Sequence, residues 1–277
     1  MTNTVKRLIL FTLAIPALAS LILFVPAYGH VGVIALLTII GVLCGYELRA
    51  MLSQISRPMR IWTIFIPGAA PILAWMTGQE WVDSRLSGIL LVVLVIWALA
   101  DAVLAEEKDL SQGVLRMGTR LMLVMYPTFF LWWVARLTWL PNTPVILIVF
   151  MLTVFLNDSA AWLFGILFGR HRNVVAASPN KSLEGFIGGW FAAVVVLLAA
   201  SWILPEVLPQ PRWQLALFGL ISGFATTLGD LVESALKRAV GVKDSGHIIL
   251  GRGGMLDSMD SILTTAPIFV IFLTWAF

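Results

Sequence analysis

Between Gly229 and Ser261 the chain reads GDLVESALKRAVGVKDSGHIILGRGGMLDSMDS. Five acids (Asp230, Glu233, Asp244, Asp257, Asp260) and four strong bases (Lys237, Arg238, Lys243, Arg252) stand there with His247. The chain around them is 60% hydrophobic and only 12% charged. Charges beside apolar spans cost free energy, so this density points to a use. Asp230, Glu233 and Lys237 fall on one face of a helix, and Ser234 joins that face one turn after Asp230. Gly241, Gly246, Gly251, Gly253 and Gly254 then interrupt regular structure and let backbone approach a ligand. Asp257 and Asp260 open the last apolar run, where the positive end of a helix dipole suits carboxylates. Two acidic helix ends joined by a basic, glycine-rich loop can hold a hard cation on oxygens. The same loop can hold a phosphate on Lys, Arg and backbone N–H groups. The plainer reading is a set of interfacial charges that pair or snorkel. It suits Lys237 and Arg238 better than Asp230 and Glu233, which lie inside an apolar run.

A second polar region runs from Asn157 to Gly189. Asn157 and Asp158 interrupt an apolar run, and an acid at that depth is a functional candidate by default. The alternative there is a hydrogen bond to a neighbouring helix. Ser178-Pro179-Asn180-Lys181-Ser182 is a polar turn feeding the next helix. A helix N-terminus with Lys181 and the hydroxyls of Ser178 and Ser182 can take an anion, although Ser and Asn are also ordinary caps. Gly185, Gly188 and Gly189 suit close helix approach.

The elements that must position these residues are membrane spans. At 277 residues and mean hydropathy +0.95, an all-α integral membrane protein is expected. Nine apolar runs can be counted: 8–28, 31–50, 61–76, 86–104, 119–140, 143–168, 183–204, 213–236 and 259–277. Most reach the roughly 20 residues a spanning helix needs. The third is short and carries Pro67, Gly68 and Pro71, so it is expected to be broken or re-entrant. Continuous runs favour helices over a barrel. The first run follows Lys6 and Arg7 but continues past signal-peptide length, so it is read as a retained span. With the N-terminus in the cytoplasm and nine spans, 15 of the 18 lysines and arginines fall on the cytoplasmic side. The positive-inside rule favours that arrangement, which puts the C-terminus on the opposite side. Residues 1–140 are taken as an N-terminal set of helices and 141–277 as the C-terminal set carrying the site. Eight tryptophans near run ends read as interfacial anchors. The single cysteine, Cys44, excludes an intrachain disulfide, and three scattered histidines argue against a zinc cluster. A nucleic-acid partner is not expected. A transporter would also carry intramembrane charge, but no paired halves are visible.

The residues from Ser234 to Asp260 resemble the signature of the CDP-diacylglycerol synthases, or phosphatidate cytidylyltransferases. The match runs through Ser234, Lys237, Arg238, Lys243, Asp244, Ser245, Gly246, His247, Gly253, Gly254, Asp257 and Asp260. Arg252 stands where the family has a histidine, and Ser258 where it has an arginine. The turn at Ser178, Pro179, Lys181, Ser182 and Gly185 is similar to a second family element, as are Asp158-Ser159 and Gly229-Asp230. The resemblance covers about the C-terminal half, Asn157 to Ser261.

The resemblance implies transfer of a cytidylyl group from CTP to phosphatidic acid, giving CDP-diacylglycerol and pyrophosphate. It implies Mg²⁺ or another hard divalent cation, with Asp230 and Asp257 as ligands and Asp260 next. Asp230, Asp257, Lys237 and Asp260 are the expected catalytic residues. Ser178, Lys181, Ser182, Asp158, Ser234, Arg238, Lys243, Asp244, His247 and Arg252 are expected to bind substrate. A homodimer in a bacterial inner membrane, with its site facing the cytoplasm, is implied on the same ground. Two alternatives stay open. One is a CTP-dependent enzyme with another lipid phosphate as acceptor. The other is a catalytically weak paralogue with a binding or regulatory role.

Overall fold

The computed structural model describes residues 12–13, 16–23, 27–104, 109–249 and 253–276. Among them the chain is all-helical, with two isolated bridges, Arg172 with Ser182 and Ile249 with Gly253. The helices are α1 (Ala27–Leu52), α2 (Phe65–Gly78), α3 (Ser84–Val103), α4 (Leu110–Leu123), α5 (Phe130–Arg136), α6 (Thr143–Leu167), α7 (Leu183–Ile203), α8 (Arg212–Ala239) and α9 (Leu256–Ala276). A 3-10 turn, Ile61–Ile64, leads into α2. Seven described stretches are long and apolar enough to cross a membrane: Tyr28–Leu52, Ile61–Gly78, Leu110–Trp139, Thr143–Leu167, Leu183–Ile203, Arg212–Ala239 and Leu256–Trp275. Ser84–Ala100 is a further, shorter apolar helix. The chain is an all-α integral membrane protein. Nine of the 21 residues of the first apolar run lie outside the described residues, as do Lys6, Arg7 and Lys108.

Two stretches differ from expectation. The run at Ile61 is continuous helix, and Pro71 sits inside α2 without ending it. The span expected from Thr119 begins at Leu110 instead. Arg116 and Arg120 broke its apolar pattern, yet both are accommodated. Arg116 pairs with Asp109 at 3.1 Å, and Arg120 lies 4.6 Å over the Trp97 ring, a favourable cation–π position. Beyond α4 the backbone widens into a π turn, Val124–Phe129, around Pro127. Proline has no N–H to offer the carbonyl four residues back. The Thr128 hydroxyl donates to that carbonyl, Leu123 O, at 2.8 Å.

The chain divides into two compact units. The first is Met1–Trp139 with Val240–Asp257, and the second is Leu140–Ala239 with Ser258–Phe277. In the first unit, Trp75 donates from Nε1 to Tyr28 O at 2.9 Å, tying α2 to the start of α1.

The second unit packs on small residues and short polar bridges, the means available where lipid removes the hydrophobic drive. A Cβ at Gly185 would come within 2.6 Å of Ala161 O, and one at Gly189 within 2.9 Å of Asn157 O. These glycines let α6 and α7 touch, as expected. Phe218 stacks on Phe272 with centroids 4.0 Å apart, and Phe269 meets Phe150 edge-on at 5.0 Å. Thr226 and Thr265 join α8 to α9 through their hydroxyls at 2.9 Å.

Candidate active site

Several polar residues of the second unit line one cavity of about 440 Å³, formed by α6, α7, α8 and the turn before α7. Asn157 and Asp158 reach it from α6, Lys181 and Ser182 from the turn, and Thr227 and Asp230 from α8. The turn is fixed by backbone bonds, Ser178 N to Val175 O at 3.0 Å and Leu183 N to His171 O at 3.0 Å. Ser182 caps α7, its hydroxyl accepting from Gly185 N at 3.2 Å. Its expected place on the cavity therefore coincides with an ordinary capping role. Ser178 is half-buried and is not among the cavity's lining residues.

Lys181 and Asp230 form an ion pair across this cavity, although 49 residues separate them in sequence. On α8 the face foreseen from spacing is present. The Ser234 hydroxyl lies 3.4 Å from Asp230 Oδ1, and Glu233, fully buried, pairs with Lys237 one turn on. Asp260, at the start of α9, is buried, and its Oδ1 accepts from Ser261 N at 2.6 Å. Its charged neighbours are Asp230, Asp158 and Lys237. Asp158, Asp230, Glu233 and Asp260 thus share one polar cluster with Lys181 and Lys237. Negative charge in excess inside an apolar span is costly unless a cation offsets it.

The first unit carries the rest of the signature. Ile249 and Gly253 pair through backbone bonds of 2.9 and 3.3 Å. Gly253 has φ +114°, a conformation that side-chain-bearing residues avoid. Arg252 lies outside the described residues. Asp257 Oδ2 accepts from Gly254 N at 2.7 Å, Ser245 N at 2.9 Å and the Ser245 hydroxyl at 3.0 Å. Glu47, on α1, accepts from Met255 N and Leu256 N, both at 2.9 Å, and from the Ser245 hydroxyl at 3.0 Å. A Cβ at Gly254 would collide with the Ser245 hydroxyl and the Glu47 carboxylate, so only glycine fits there. Lys243, Asp244 and His247 are exposed on this loop, and Arg238 is exposed at the end of α8.

Three contributors were not anticipated. Arg172 and Asn180 line the cavity. Arg172 Nη2 donates to Gly165 O at 3.1 Å, holding a carbonyl near the C-terminal end of α6. Glu47 had a readable signal, a lone acid within an apolar run.

Among the described residues, no three His, Cys, Asp or Glu side chains converge as a ready metal cage. Mg²⁺ does not require one, because it commonly takes one or two carboxylates and completes its shell with water and phosphate oxygens. The carboxylates of this cluster fit a hard cation of that kind.

The sequence model of the cytidylyltransferase family matches residues 5–276. The chain belongs to this family. Phosphatidate cytidylyltransferase of Mycobacterium bovis is 30% identical over 268 residues, 93% of this chain and 84% of that protein. Phosphatidate cytidylyltransferase of Staphylococcus aureus is 44% identical over 122 residues, 44% of this chain and 46% of that protein. The uncharacterised protein YnbB of Escherichia coli K12 is 40% identical over 146 residues, 51% of this chain and 48% of that protein. The matches to the last two span about half of those relatives' length.

Proposed function

We propose that this membrane cytidylyltransferase joins CTP to phosphatidic acid, releasing pyrophosphate and forming CDP-diacylglycerol for phospholipid synthesis. The observation that carries the reading is the Lys181–Asp230 pair on a cavity lined by Asp158 and Arg172. A phosphate oxygen of the lipid attacks the α-phosphorus of CTP. One P–O bond forms, the α–β anhydride bond breaks, and pyrophosphate carries away the electron pair. Such transfers depend on positioning and on charge neutralisation more than on covalent help from the protein. Lys181 and Lys237 supply neutralising charge, with Arg172, Arg238 and Lys243 as further phosphate partners. By the family resemblance, Asp230 and Asp257 would be the carboxylates for a divalent cation, Mg²⁺ by chemistry, with Asp260 next, and the ion would supply charge stabilisation at phosphate oxygens.

In this reading nine spans place the N-terminus and the basic loop in the cytoplasm, where CTP is found, and the C-terminus outside. The membrane is a bacterial inner membrane, and the assembly is a homodimer. Incubating purified protein with radiolabelled CTP, phosphatidic acid and Mg²⁺ tests the reaction. Label in the lipid phase supports it, and none from folded protein contradicts it.

A second reading, a different lipid phosphate as acceptor, is favoured by Arg252 and Ser258 standing where the family pattern has histidine and arginine. Under the first reading, Arg252→His with Ser258→Arg raises phosphatidate-dependent turnover. Unchanged turnover in a folded double variant favours the second, and a mixture of competing lipid phosphates identifies the acceptor.

A further inference from the structure

We infer that Glu47 is a positioning residue for this reaction, a carboxylate on α1 that fixes Ser245 and the start of α9 and so presents Asp257. The inference rests on the cytidylyltransferase reading for its kinetic consequence and on geometry alone for the rest.

Glu47 is 2% exposed near the end of an apolar helix, a costly place for an acid. Its bonds reach residues about two hundred positions later in the chain: Met255 N on Oε1, and Leu256 N with the Ser245 hydroxyl on Oε2. The first turn of a helix has amide groups with no earlier carbonyl to satisfy them, and Glu47 meets those of α9 from another helix. All three partners donate. A carboxylate is the acceptor-only side chain, whereas a glutamine would turn an NH₂ group toward a donor.

The Ser245 hydroxyl gives the arrangement its consequence. It lies 3.0 Å from Glu47 Oε2 and also 3.0 Å from Asp257 Oδ2. One hydroxyl has one proton, so it donates to a single carboxylate at a time. When a ligand draws on Asp257, the proton turns to Glu47 and the segment keeps its anchor. Asp257 stays in place because Gly254 N and Ser245 N also hold it.

The test uses the full chain in detergent, as wild type, Glu47→Gln, Glu47→Asp and Ser245→Ala. Tyr46→Phe serves as control, since Tyr46 is half exposed and joins none of these bonds. Three quantities are read: amide exchange across residues 245–257, kcat and KM for cytidylyl transfer, and labelling of the buried Cys44, the only thiol. Losing a charge-assisted bond predicts exchange in Glu47→Gln faster by about tenfold or more. It also predicts kcat lower by about tenfold or more with KM for CTP nearly unchanged, the pattern of a lost transition-state arrangement. Cys44 stays protected, and Glu47→Asp recovers part of kcat.

Unchanged exchange or unchanged kcat in Glu47→Gln overturns the inference. So does exposure of Cys44, which would mark Glu47 as packing alone. If Glu47→Gln does not fold, Ser245→Ala decides. Faster exchange at 245–257 with lower kcat upholds the anchor, and wild-type behaviour refutes it. A wild type without transfer activity removes the proposed reaction, while the exchange measurement still judges the anchor.

Discussion

Asp230 and Asp257 are both half-buried aspartates in helices, and they are held by opposite kinds of partner. Asp230 in the second unit meets the ammonium of Lys181, with the Ser234 hydroxyl at 3.4 Å. Asp257 in the first unit meets two backbone amides and a hydroxyl at 2.7 to 3.0 Å. An ammonium on a flexible stem can be passed to a phosphate. A backbone amide cannot leave its place. The comparison divides the acidic residues into an exchangeable set, Asp230 with Lys181, and a fixed set, Asp257 with Glu47 and Ser245.

The largest expected effect separates the two aspartates. Asp230→Asn lowers cytidylyl transfer by about a thousandfold, the scale of losing a main electrostatic contact, and leaves the melting temperature close to wild type. Asp257→Asn also lowers transfer, but it lowers the melting temperature as well, because an amide serves three donors less well than a carboxylate. Equal melting temperatures would break the comparison.

Glu233 and Lys237 sharpen it next. Glu233 is fully buried, so Glu233→Leu takes the paired carboxylate from the half-buried Lys237 ammonium and costs about 3 kcal/mol. Replacing both residues by leucine returns most of that. Thermal unfolding of the single and double variants measures the difference, and a double variant no better than the single would contradict the pairing. Gly254→Ala follows, at about 1–3 kcal/mol, because its methyl group meets Ser245 and Glu47. Its denaturation midpoint should fall, and the exchange of residues 245–257 should rise. Smallest is Thr265→Val, which removes the 2.9 Å bond to Thr226. It should cost about 1 kcal/mol in the same assay without changing KM for CTP.

Much of this architecture could be read from the chain. The starts of α6 at Thr143 and α7 at Leu183 were visible because apolar runs there meet Pro144 and the Ser182 cap. The start of α4 was not, since its arginines look like a loop until Trp97 and Asp109 are seen beside them. In the site, spacing alone put Glu233 and Lys237 on one face, because a helix brings residues four apart together. Lys181 and Asp230 were each singled out, but their pairing depends on how α7 and α8 pack, and periodicity carries no such information. Glu47 could be singled out as a lone acid in an apolar run, but its partners, about two hundred residues away, could not be read.

The most direct test of the central claim is lipid-phase incorporation of label from radioactive CTP, comparing wild type with Asp230→Asn. The account predicts label with phosphatidic acid and Mg²⁺, and a near-complete loss in the variant while it remains folded. Equal incorporation by both proteins would contradict it, because the Lys181–Asp230 cavity would then not be where the reaction occurs.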